Sequence, residues 1–176
     1  MNVAMSPLSR PPKTRIVPAA QVGEASDRDL EAWDLMPLLD YWNKARGEAF
    51  APRWADFNIM KLPPQVRGGL VVVDYDPARN DFRVRFWGVD LWDIFGIDIT
   101  GAWLSEVEHF GVMTQFLKYG TEMLKTKAVQ KVMHRAMKAT GAAGVYPVLR
   151  LPISDDGVNV TKIITARNAK MLGRRR

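Results

Sequence analysis

The sequence contains no cysteine. That excludes disulfide staples, thiolate nucleophiles and cysteine-based zinc centres, and it is compatible with a reducing compartment. Histidine is scarce too. His109 and His134 are the only two, far apart in the chain, and no Gly-x-Ser-x-Gly elbow or Gly-Lys-Ser/Thr phosphate loop accompanies them. The usual nucleophile and nucleotide-hydrolysis arrangements are therefore not spelled out. Apolar runs such as Leu70 to Val73 fall far short of the roughly 20 residues a membrane helix needs. Met1, Asn2 and Val3 lead into Pro and Arg without the apolar segment of a signal peptide. Together these absences point to a soluble cytoplasmic protein with no membrane insertion.

What is present is the material of one ordinary core. The 176 residues are 47% hydrophobic and include six Trp and seven Phe, enough for a single domain with tails. The net charge of +6 is concentrated at the ends. Arg10, Lys13 and Arg15 outweigh Glu24 at one end, and Arg167, Lys170 and Arg174 to Arg176 crowd the other, leaving residues 27–166 slightly acidic. A basic tail is a loose anion attractor. The body offers neither a basic recognition helix nor an aromatic RNA-reading motif, which argues against nucleic acid as the partner.

Residues 1–26 carry Pro7, Pro11, Pro12 and Pro18 among small and polar residues, and read as a flexible basic leader. Ser26 with Asp29 forms a capping box that opens a helix near Asp27. Apolar positions run from Leu30 and Trp33 to Leu38, Leu39, Trp42 and Ala45, with Pro37 predicting a kink or two abutting helices, and Gly47 a stop. From Gly69 the period changes. Leu70–Val73 and the alternating Phe82, Val84 and Phe86 read as two strands of a hairpin about a turn at Asp74–Pro77. Short helical turns follow over Val89–Phe95. Ser105 with Glu108 is a second capping box, for a helix reaching about Lys125 with Phe116 and Leu117 on its apolar face. Val129–Ala139, whose Val132, Met133, Ala136 and Met137 also fit a helix face but which precedes a loop between extended runs, Val145–Ile153 and Val158–Ala166 complete five strands, with Gly141–Gly144 and Ser154–Gly157 as turns. The order implies an α+β domain over 27–168, built on one five-stranded antiparallel sheet, with a basic tail at 169–176.

Five motifs in this order resemble the PAS (Per-ARNT-Sim) domain family, in the variant found as small, mostly single-domain proteins of alphaproteobacteria. They are Tyr41-Trp42 with Arg46-Gly47, Pro52-Arg53 with Asp56, Arg83-x-Arg85-x-x-Gly88, Phe95-Gly96-x-Asp98-x-Thr100-Gly101, and Leu151-Pro152-Ile153-Ser154 with Gly157. The resemblance spans roughly residues 35–168. Asn58, where the family often has proline, and Arg67-Gly68-Gly69, where it has a bulkier segment, depart from the pattern.

The resemblance implies a sheet with helices over one face, an N-terminal helical extension, and a sensory or regulatory role without catalysis. Between sheet and helices it implies a cup, for which Val84, Phe86, Trp92, Phe95, Thr100, Trp103, Phe116 and Tyr146 are the candidate ligand-contacting residues, the alternative being that the aromatics fill the core and leave no cavity. Asp98, Thr100 and the flanking glycines also suit a purely structural corner. Leu38, Leu39, Trp42 and Arg46 on the N-terminal helix are the candidate surface for a protein partner or a second copy, with Arg46 and Arg53 anchoring the helix by ion pairs. No metal or cofactor is expected. A flavin photosensor of the adduct type needs the missing cysteine, and haem would need His109, which lies in a helix's first turn beside Glu106 and Glu108. The rival reading is a small α+β enzyme working through a buried carboxylate. The visible acidic pairs, Asp74 with Asp76 and Asp155 with Asp156, lie in turns where they serve conformation.

Overall fold

Ser26 starts the first helix as its spacing to Asp29 requires. The Ser26 hydroxyl accepts from the Asp29 N–H at 3.2 Å, and the Asp29 carboxylate accepts from the Ser26 N–H at 2.8 Å. The computed structural model, which describes residues 17–107, 112–137 and 143–168, places strand β1 (Val17–Glu24) before it, then α1 (Asp27–Ala32) and α2 (Met36–Arg46). Pro37 lies in the first turn of α2, where its missing N–H breaks no intrahelical bond. It begins a second helix instead of bending one. The leader expected over 1–26 is thus corrected from Val17 onward, and residues 1–16 lie outside the described residues.

A four-residue helix α3 (Pro64–Arg67) leads into β2 (Leu70–Asp76) and β3 (Asp81–Trp87), followed by α4 (Val89–Phe95). Then come α5 (Val112–Thr126), β4 (Gln130–Met137), β5 (Ala143–Ile153) and β6 (Lys162–Ala166). The expected helix start at Ser105 is not observed. Leu104–Glu106 is a 3-10 turn, and the Ser105 hydroxyl donates to Asp81 Oδ2 at 2.6 Å. Glu108, the other half of that capping box, lies outside the described residues, as do Gly141 and the tail from 169.

The strands form one antiparallel sheet in the order β1-β4-β5-β6-β2-β3. The five strands read from the sequence are there, and β1 adds a sixth on the β4 edge. Both faces are covered. Val71, Val73, Val84 and Val148 face α4 and α5. Leu70, Val72, Leu149 and Leu151, one residue out of phase, face α1, α2 and α3. The N-terminal helices are therefore the second outer layer of the domain.

One bulge decides which aromatic side chains face inward. Val72 pairs with Phe86 and Val73 with Val84, so Arg85 is an extra residue in β3. The alternation of Phe82 and Val84 breaks there. Phe86 turns to the α2 side and Trp87 takes the inner side. Arg85 itself grips Asp74 with two bonds, at 2.9 and 2.8 Å.

The Arg67-Gly68-Gly69 departure also has a physical reason. A Cβ on Gly69 would lie 1.9 Å from the Arg167 carbonyl oxygen, where β2 and the end of β6 approach closely. Both sides are backbone, so neither yields cheaply. Gly69→Ala is expected to cost about 1–3 kcal/mol through overpacking, read as a lower urea midpoint. An unchanged midpoint would show that the two strands can separate there.

Candidate functional site

Beneath α4 and α5 the sheet is not purely apolar. Period-two alternation along β4 and β5 sends Gln130, Val132 and His134, and Tyr146, Val148 and Arg150, to the inner face, with His134 opposite Tyr146 and Gln130 opposite Arg150. Thr165 on β6 pairs with Arg150, and Arg167 follows two residues later on the same side. His134, Tyr146, Arg150, Thr165 and Arg167 are all buried. Two arginines and a histidine thus lie buried on the inner face of the sheet.

Their contacts are specific. Arg150 Nη2 lies 3.0 Å from His134 Nε2, and Nη1 donates to Gln130 Oε1 at 3.3 Å. Its guanidinium stacks 4.2 Å from the centroid of Tyr119 on α5. Because a guanidinium only donates, His134 Nε2 must carry the lone pair, so this imidazole is neutral with its proton on Nδ1. Burial first, then the positive charges of Arg150 and Arg167, pushes the His134 pKa down to about 3. Arg167 lies over the rings of Phe95 and Phe116, at 5.8 and 5.7 Å. Burial also lowers the Arg150 pKa, to about 10, with Arg167 as the next cause, and it lowers that of Arg167. Both remain cations at neutral pH. The Nε atoms of Arg150 and Arg167 and the indole nitrogen of Trp87 are buried without a hydrogen-bond partner.

Of the residues singled out from the sequence, Val84, Phe95, Phe116 and Tyr146 come together on this inner side. Phe86 does not, because of the bulge at Arg85. Trp103 bridges to Arg83 on the β3 edge and lies under Arg79 at 4.2 Å, outside the cup. Trp92 is half-buried and belongs to neither core cluster. Thr100 is exposed. Its N–H and hydroxyl donate to Asp98 Oδ1 at 2.8 and 2.7 Å. Gly96 and Gly101 hold φ of 74° and 87° around that turn, and Gly101 N–H donates to Val84 O at 2.7 Å. The segment Phe95–Gly101 is a corner fastened to β3, and Thr100 faces away from the cup.

The partner surface expected on α2 is corrected as well. Leu38, Leu39 and Trp42 are buried against the protein's own sheet, and Trp42 Nε1 donates to Pro152 O at 2.8 Å. Arg46 makes only local bonds, to Asn43 Oδ1 at 3.1 Å and Ala49 O at 2.8 Å. Arg53 pairs with its near neighbour Asp56 on the surface. Among the described residues neither makes an ion pair that anchors the helix to the body. The end of α2 instead borders an open depression of about 310 Å³ that also touches Phe50, Lys127 and Lys131.

Asp81 and Asp90 are the buried carboxylates. Asp81 accepts from the Phe82 N–H and the Ser105 hydroxyl, at the hairpin end. Among the described residues no group of three His, Asp or Glu is placed to hold a metal ion, and no helix is long and apolar enough to cross a membrane. His109 lies outside the described residues. His134 is the buried imidazole, and its Nε2 is engaged by Arg150. Sequence reasoning missed Arg150 and Arg167. The one signal for Arg150 was a charge in the middle of the apolar run Val145–Ile153. Arg167 was masked by the basic residues that follow it.

The sequence matches the PAS domain family over residues 31–165. No protein of curated function matches it. A solved structure of an RNA-binding Light-Oxygen-Voltage receptor is similar, at 12% identity and a TM-score of 0.42, with 93% of this chain covered. This chain spans 40% of the length of that one.

Proposed function

The chain belongs to the PAS domain family, a family of sensory and regulatory modules, and from that membership we propose that it is a non-catalytic sensor that admits a small ligand between the sheet and α4 and α5 and passes its occupancy to a protein partner. The observation that carries this reading is the polar inner floor. An ordinary core would fill these positions with aliphatic side chains, because burying an unpaired cation costs several kcal/mol. Here the central strands put Arg150, His134 and Arg167 there. The buried Asp81 carboxylate is already committed at the end of the hairpin. Both Asp81 oxygens hold structural hydrogen bonds away from the floor.

Native mass spectrometry of protein purified from its own host tests the proposal. The expected result is a small molecule retained under gentle conditions and released on denaturation. Adding it back should shift amide resonances in β4, β5 and α5. If nothing is retained, and a metabolite extract from the host shifts none of those resonances, the module works without a ligand and this reading fails.

A further inference from the structure

We propose that the ligand is a small organic carboxylate with an apolar or aromatic body, its carboxylate held between Arg150 and Arg167. This rests on the reading of the cup as a ligand site and adds the sign of the charge and the chemical class. Among the described residues no carboxylate forms an ion pair with either arginine, and the ion pairs present, such as Arg85–Asp74, Arg79–Glu106 and Lys131–Asp27, all lie elsewhere. Glu122, exposed on α5, acts on Arg150 only from a distance. The groups that do touch Arg150 are neutral: His134, Gln130 and the Tyr119 ring. Among the described residues the Arg167 guanidinium meets the rings of Phe95 and Phe116.

Among the described residues the floor therefore has more donors than acceptors. Each guanidinium leaves a buried Nε–H unused, and Trp87 Nε1 is a third such donor on the same side of the sheet. A carboxylate supplies the lone pairs and the negative charge that are missing, in the planar geometry a guanidinium fork matches. The rest of this face is apolar, with Tyr119, Tyr146, Phe95 and Phe116 as the rings nearest the two arginines and the histidine, so the body of the molecule meets apolar and aromatic side chains. Trp87 offers a bond to a second polar atom. Inorganic phosphate shares the charge but has nothing to place against these rings.

Thermal unfolding with three probes at millimolar concentration tests this: phenylacetate, its neutral isostere phenylacetamide, and inorganic phosphate, with further carboxylates of different body replacing phenylacetate in parallel. At least one carboxylate is expected to raise the melting temperature by several degrees, with its amide and phosphate having no effect. Arg167→Met should abolish that selectivity and, in the absence of ligand, melt higher than the unsubstituted protein, because it removes an uncompensated buried charge. If the variant does not fold, the Nε–H resonances of Arg150 and Arg167 in the unsubstituted protein serve instead, and must move with the acid and not the amide. Equal responses to acid and amide overturn the carboxylate assignment while leaving a ligand-binding cup intact. Selectivity that survives Arg167→Met overturns the site. A response to phosphate alone, or to no carboxylate, overturns the proposal.

Discussion

Trp42→Ala is expected to lower the free energy of unfolding by about 3–5 kcal/mol, the range for removing a large buried aromatic ring. Trp42 is 3% exposed and sits between α2 and β5. Two losses combine. The ring's volume goes from a layer that Leu38, Leu39 and Leu149 cannot refill, and the Pro152 carbonyl loses the 2.8 Å bond from the indole nitrogen. Trp42→Phe weighs them differently, since it keeps an aromatic ring in the layer and loses the bond with the rest of the indole. It should cost about 1–3 kcal/mol, the penalty of an unsatisfied buried acceptor. Urea unfolding with an unchanged slope measures both. A cost below about 1 kcal/mol for the alanine variant, together with altered sedimentation, would mean that α2 presents Trp42 to a partner after all.

Mild acid is expected to destabilise the protein through His134. Its folded pKa is about 3 against an ordinary 6.5, so between these values the unfolded chain binds a proton that the native imidazole refuses. Stability is then full above pH 6.5 and falls as the pH drops towards 3, by at most about 1.4 kcal/mol per pH unit. The groups around the imidazole all act in that direction or are neutral. Arg150 and Arg167 repel a second positive charge, and the rings of Tyr119 and Tyr146 stand 6.0 and 6.2 Å away. Asp29 and Asp156, whose hydrogen bonds to Ser26 and Asn159 hold their pKa values below the ordinary 3.8, weaken the protein only in stronger acid. His134→Gln keeps an acceptor for Arg150 and does not titrate. It should flatten the stability profile between pH 4 and 6.5, and an unflattened profile would assign the acid sensitivity to other groups.

Local pattern carried most of the fold. Ser26 and Asp29, the β-branched runs of β2 and β6, and the Gly96–Gly101 corner each announce a structure that depends on near neighbours. What stayed hidden depends on distant ones. Val17–Glu24 contains Pro18, Gly23 and two alanines and has no strand-like alternation. It becomes β1 because β4 offers a free edge, and it pairs through two register shifts. Nothing at Arg85 marks a bulge, yet that residue sends Phe86 to one layer and Trp87 to the other. Apolar helical spacing over Leu38, Leu39 and Trp42 correctly identified a face that must be covered. The sequence could not say that the cover is the back of the same sheet. The gathering of Val84, Phe95, Phe116 and Tyr146 on one side of the sheet was legible, but the charge placed among them was not. Arg150 and Arg167 differ from ordinary surface arginines only in where the strands carry them.

The added strand also bears on the order in which the molecule is assembled. Val17 pairs with Met137, so β1 leaves the ribosome well before β4 and has no partner until β4 has been synthesised. Closing so long a loop is entropically slow, whereas the β2–β3 hairpin needs only its own turn. β1 therefore joins a sheet that its neighbours have already built. The edge of β4 stays open until β1 docks on it.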